Sequence, residues 1–171
     1  VLGSEGVNPQ ARQMAADNLA SIETRRKLRI GAPVVEFSAE DIAGRPISTS
    51  DYRGKVFLLD FWATWCAPCR DEMPNVKRVY NDYREKGFDI IGISLDNSRD
   101  ALARYLEQEH LGWRQIHEGG WQSKVGRLYA VNAIPATFLI DRQGRIRHKN
   151  LRGAELERAV RALLEEKPGA P

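Results

Sequence analysis

Cys66 and Cys69 are the only two cysteines among 171 residues. They lie in Trp65-Cys66-Ala67-Pro68-Cys69, after the apolar run Val56–Trp62 and before a helix-like segment. Two thiols at this spacing, at the start of a helix, can close into a small disulfide ring and reopen. The chemistry they suit is dithiol–disulfide exchange. Cys66, at the helix N-terminus, is the expected nucleophile, because unpaired N–H groups and the helix dipole favour its thiolate. Cys69, one turn further in, is the expected resolving thiol, attacking a mixed disulfide on Cys66. Pro68 constrains the loop and falls in the first helical turn, where proline is tolerated. Ala67 is small and is expected to leave Cys66 accessible. The alternatives are an inert pair of core cysteines, half a zinc site, or a Cu(I) carrier. Zinc usually takes four ligands, and His110, His117 and His148 show no ligand spacing near the pair, so no metal is expected. Cu(I) suits a CxxC pair, but thiol exchange explains the motif better.

Two carboxylates stand where they could move the proton that such exchange requires. Glu72 is three residues after Cys69, so both fall on one helix face. Its alternative is a first-turn carboxylate that favours the helix dipole. Asp60 sits inside Val56-Phe57-Leu58-Leu59-Asp60-Phe61-Trp62, where a buried carboxylate is costly and tends to be neutral or paired. Trp65 is expected to shield one side of Cys66 and offer an apolar contact. Trp62 is assigned to the core; Trp113 and Trp121, which flank the Gly119-Gly120 break, fit either a partner groove or, the favoured reading, the core. Pro74 should kink the helix.

Several elements must position these residues. Residues 8–29 read as a polar helix with a thin apolar stripe of Ala11, Met14, Ala15, Leu19 and Ile22. Gly31-Ala32-Pro33 breaks it and starts the domain. Val34–Phe37 and Pro46–Ser48 predict a hairpin around Gly44, and Val56–Trp62 a central buried strand. Helix follows over 67–86, strand over 88–95, helix over 100–109, a short strand over 113–116 and a helical turn or two over 124–129. Strands over 137–140 and 145–149 then flank the turn Asp141-Arg142-Gln143-Gly144, and 154–166 is the last helix, with Leu156, Val160, Leu163 and Leu164 on one face. Strands alternating with helices, ending in a hairpin and a helix, indicate an α/β sandwich with a mixed sheet. The expected organisation is an arm or linker over 1–30, one domain over 31–168 and a tail over 169–171.

Composition excludes several function classes. Lys plus Arg total 26 against 23 for Asp plus Glu, a net charge of +3 with the signs well mixed. Nucleic acid is therefore not an expected partner, and the short run Arg25-Arg26-Lys27-Leu28-Arg29 reads as a solvated helix end. No stretch reaches the roughly 20 apolar residues of a membrane span. The start, Val1-Leu2-Gly3-Ser4, has no signal-peptide pattern, and the chain is expected to be a processed or trimmed fragment.

The run Asp60-Phe61-Trp62-Ala63-Thr64-Trp65-Cys66-Ala67-Pro68-Cys69-Arg70, with Ile134-Pro135-Ala136-Thr137, resembles the thioredoxin superfamily. Within it the chain is similar to the TlpA/ResA-like thiol-disulfide oxidoreductases. The narrower match is carried by Ala32-Pro33 to Phe37 with Asp51-Tyr52-Arg53-Gly54-Lys55, by Glu72-Met73-Pro74, and by an extra helical segment before Pro135. The resemblance spans roughly residues 31–166 and leaves residues 1–30 unexplained. It implies a thioredoxin-like sandwich, a mixed central sheet flanked by helices with an N-terminal β-hairpin and a helical insertion. It implies that Ile134–Pro135 is cis, an inexpensive geometry only before proline. Pro135 would then face the dithiol, with the Ile134 backbone pairing to a substrate segment as an added strand would. It further implies a proton role for Glu72 and, as in thioredoxins, for Asp60 beneath the buried cysteine. Carrying both departs from the subfamily pattern and leaves the main proton carrier open. The implied activity is reduction of protein disulfides in an extracytoplasmic setting, the bacterial periplasm or the outer face of the membrane. No cofactor is needed beyond the Cys66–Cys69 pair, and a reducing dithiol protein, membrane-bound in the family, would regenerate it.

Two other classes compete. A peroxidase of the related peroxiredoxin type would carry Thr or Ser three residues before its reactive cysteine, where this chain has Ala63. A redox sensor or interaction module, in which the dithiol only changes conformation, draws its support from the unexplained arm.

Overall fold

The computed structural model describes residues 8–167. The positions expected to form a tail, 169–171, and the chain start at Val1–Ser4 lie outside the described residues.

Strand β3 (Val56–Trp62) is buried at every position. Alternate side chains of a strand point to opposite faces, so one run supplies two cores. Val56, Leu58 and Trp62 enter one apolar cluster, and Phe57, Leu59 and Phe61 enter the other. Asp60 shares the parity of Leu58 and Trp62 and so points into the first. Around β3 the sheet runs β5 (Arg114–His117), β4 (Phe88–Ser94), β3, β6 (Ala136–Ile140), β7 (Ile146–Lys149). β3, β4 and β5 are parallel, while β6 and β7 join antiparallel. The mixed sheet is the one the sequence predicts.

Helix α2 (Ala67–Tyr83) and the last helix, α5 (Ala154–Glu165), pack against the first face. In α2 the buried residues Cys69, Met73, Val76, Tyr80 and Tyr83 recur at helical spacing. The helix runs unbroken through Pro74 and closes with a 3-10 turn, Arg84–Lys86, before the left-handed Gly87. In α5, Leu156, Ala159, Val160 and Leu163 face inward. Helix α3 (Arg99–Glu109) adds buried Leu102 to this core. The opposite face is covered by the short helix α4 (Lys124–Leu128), by Tyr129 and by the N-terminal hairpin.

That hairpin differs from its expected bounds. Its strands are β1 (Ser38–Glu40) and β2 (Pro46–Ser48), and Val34–Phe37 is not a strand. The reason is a competing partner. Val34 N–H donates to Gly144 O at 2.7 Å and Ile146 N–H to Ala32 O at 2.9 Å, so this segment is drawn to the edge at β7 instead.

Helix α1 (Pro9–Lys27) begins where the Asn8 side chain accepts the Gln10 N–H at 2.9 Å, with proline in the first turn. Arg25, Arg26 and Lys27 occupy its last turn, where cations offset the helix dipole. No residue of α1 is buried, and Met14, Leu19 and Ile22 of its apolar stripe are exposed. Leu28, just past its end, is buried in the core beneath the hairpin.

Candidate active site

The carboxyl ends of parallel strands β3 and β4 open side by side, and the loops leaving them carry the cysteines and Asp96. Cys66 is the N-cap of α2 and is joined to Cys69 by a disulfide with a Cα–Cα separation of 5.3 Å. The Cys69 N–H donates to Cys66 Sγ at 3.3 Å, one of the otherwise unpaired donors of the helix start. Ala67 and Pro68 are exposed, but Cys66 is 5% exposed and Cys69 3%. The expected accessibility of Cys66 is thus not met in the disulfide form, where the closed ring tucks its sulfur against the first helical turn.

Beneath the ring lies a cavity of about 20 Å³ open to the centre of a water molecule, enough for one water. Asp60, Cys69, Glu72 and Pro135 all line it, so four of the residues singled out from sequence share one wall. Asp60 is buried, and loss of solvation pushes its carboxyl up to about 7, with the Glu72 charge adding to the effect. Glu72 is half-buried. Its Oε1 accepts the Gly153 N–H at 2.7 Å and the Asn75 Nδ2 at 2.7 Å, which ties α2 to the loop before α5. Ile134 is half-buried between the two cores, and the Ile134–Pro135 peptide is cis.

The tryptophans divide differently from expectation. Trp113 is buried against Tyr80, with ring centroids 5.1 Å apart. Trp121, assigned to the core from sequence, is 44% exposed and pairs with Trp65, itself 52% exposed, at 6.5 Å. Trp121 rides on a loop turned outward by Gly119 and Gly120, both at positive φ, with Asn97 packed where a Gly120 side chain would stand. Trp65 therefore forms an exposed aromatic pair with Trp121 beside the disulfide.

Two residues of the site escaped the sequence analysis. Asp96, buried after β4, accepts the Thr64 N–H at 3.1 Å, the Thr64 hydroxyl at 2.6 Å and the Ser94 hydroxyl at 2.7 Å. It holds the loop that presents Trp65 and Cys66, with Arg70 Nη1 on the Thr64 carbonyl at 3.1 Å. Its one sequence signal was its place just past an apolar strand, at the sheet edge where α/β sites assemble. Thr137, in the apolar β6, also lines the cavity. A lone hydroxyl in such a strand was the available sign. Among the described residues no group of three or more His, Cys, Asp or Glu could hold a metal ion.

Comparison with known proteins agrees with this geometry. Residues 30–149 match the family model described as AhpC/TSA family. A thiol-disulfide oxidoreductase ResA from Bacillus cereus is 34% identical over 125 residues, 73% of this chain and 71% of that protein. The thioredoxin domain of a thiol-disulfide oxidoreductase from Bacteroides vulgatus superposes with a TM-score of 0.74 at 31% identity, covering 81% of this chain and 99% of that one. A thiol:disulfide interchange protein from Bacteroides sp. gives a TM-score of 0.72 at 28% identity, covering 84% and 95%. The peroxidase alternative is not favoured. The chain belongs to the AhpC/TSA family and, within its thioredoxin fold, to the ResA-like thiol-disulfide oxidoreductases.

Proposed function

We propose that this protein reduces disulfides in other proteins, with Cys66 as the attacking thiolate and Cys69 as the resolving thiol. One observation carries the reading: the Cys66–Cys69 disulfide caps α2 directly over a cavity lined by two carboxylates. In the reduced protein Cys66 attacks one sulfur of the substrate disulfide. A mixed disulfide forms, and the other substrate sulfur leaves as a thiolate. Cys69 then gives its proton to the Asp60–Glu72 pair and attacks Cys66 Sγ. The second substrate thiolate departs, and two electrons have passed from the dithiol to the substrate. A carboxyl that titrates near neutral pH suits both taking and returning that proton.

The substrate segment lies across Trp65, Ala67 and Pro68 and pairs with the backbone at Ile134, beside Pro135. Exposure of Trp65 supports this, and its pairing with Trp121 extends the apolar surface. A second dithiol protein, membrane-bound by family resemblance, restores the reduced pair. The extracytoplasmic setting rests on the same resemblance. Among the described residues no helix is long and apolar enough to cross a membrane. The chemistry is assigned to residues 31–168, with 1–30 as an arm or linker.

Trapping tests the roles. Cys69→Ser should accumulate long-lived mixed disulfides through Cys66. Accumulation in Cys66→Ser but not Cys69→Ser reverses the assignment. Equilibration against dithiothreitol or glutathione tests the direction. A potential near that of thioredoxin, about −270 mV, fits a reductase, and a value near −120 mV makes the protein an oxidant.

A further inference from the structure

Thr137 is 8% exposed, and its Oγ1 is fully buried with no hydrogen-bond partner among the described residues. A buried hydroxyl left unmatched lowers stability, and valine would fill the same shape in this apolar strand without that cost. The β3–β6 register places Thr137 directly opposite Asp60. Opposed side chains on one sheet face have Cβ atoms about 4.5–5.5 Å apart, and both residues line the cavity under Cys69. Asp60 likewise accepts no hydrogen bond among the described residues. Burial and the Glu72 charge disfavour its ionised form, with no hydrogen bond to offset either. Other donors border the same cavity: Asn150, whose Oδ1 accepts the Thr137 N–H at 3.1 Å, and the reduced Cys69 thiol, but neither stands opposite Asp60 in the sheet register. β4 presents Gly92, α2 presents Glu72 and Cys69, and the loop before α5 presents Arg152, an exposed residue at the cavity rim.

We propose that the Thr137 hydroxyl is the hydrogen-bond donor that holds the Asp60 carboxylate whenever Asp60 ionises, directly or through one water in the cavity. A hydroxyl can rotate to accept from the neutral acid and donate to the anion, so Thr137 serves both states of a group that must change charge. It is a positioning residue acting through Asp60. Its catalytic consequence rests on Asp60 carrying the Cys69 proton, as proposed above.

The test follows the Asp60 side-chain carboxyl by carbon-13 NMR in the full reduced chain, alongside the pH profile of Cys69-dependent mixed-disulfide resolution. Thr137→Val removes the donor and keeps the shape, so the Asp60 midpoint should rise by about one pH unit. Thr137→Ser should keep the native midpoint, and Thr137→Ala should match valine if valine perturbs folding. A midpoint unmoved in both Val and Ala variants overturns the proposal and returns Thr137 to packing. A moved midpoint supports it, and the rate profile then judges Asp60 separately. If that profile moves with the midpoint, Asp60 is on the proton path. If it stays, the Thr137–Asp60 bond stands and Asp60 is removed from the path.

Discussion

Replacing Asp60 by asparagine should stabilise the protein at alkaline pH relative to its effect in acid. In the folded chain the Asp60 carboxyl titrates near 7, against 3.8 ordinarily, because burial and then the Glu72 charge oppose ionisation. The folded state therefore holds this proton more tightly than the unfolded state. Below about pH 3.8 both states carry it and Asp60 has no pH-dependent effect. Between there and 7 the unfolded chain ionises first, so stability falls as pH rises. Above 7 the penalty is complete. From 3.8 to about 7, at 1.36 kcal/mol for each pH unit, the upper limit is about 4 kcal/mol. Water entering the cavity beneath Cys69 reduces it. Asparagine cannot ionise. Its amide can add an unmatched-donor cost of about 1–3 kcal/mol, but that cost does not vary with pH. The diagnostic is therefore the change in the variant-minus-native difference between pH 4 and pH 8. Urea denaturation of the oxidised chain measures it. A difference that stays constant across this range refutes the reasoning, because Asp60 would then titrate alike in both states. Glu72→Gln supplies a second arm. Removing the neighbouring charge should lower the Asp60 titration and shrink the native protein's loss of stability above pH 4.

The remaining predictions concern rates and the loop that carries Cys66. Glu72→Gln should slow exchange near neutral pH with little loss of stability, since glutamine Oε1 can still accept from Gly153 and Asn75; unchanged rates in stopped-flow exchange would reduce Glu72 to a structural tie. Asp96→Ala leaves the Thr64 N–H and the Thr64 and Ser94 hydroxyls without their acceptor, and should cost about 2–4 kcal/mol in denaturant melts. Trp121→Ala should leave stability within about 0.5 kcal/mol, as an exposed side chain. It should slow reduction of a protein disulfide more than that of a small one, and equal slowing of both would separate Trp121 from substrate contact.

The chemistry and the central elements were legible in the chain because they depend on near neighbours. The spacing of Cys66 and Cys69, the apolar run of β3 and the shared helix face of Cys69 and Glu72 are all set within a turn or a strand. The apolar run on either side of Asp60 also indicated that its carboxyl would be buried. Tertiary structure decided what meets across the sheet. Register set Thr137 opposite Asp60. Packing of α2 on β3 brought Glu72 to the same cavity. The parallel crossover put Asp96 under Thr64, 32 residues away in sequence. It also decided exposure: Gly119 and Gly120 turn Trp121 outward to Trp65, where its aromatic character alone suggested the core. Periodicity reports which face a residue takes, and only the assembled sheet reports what stands on that face beside it.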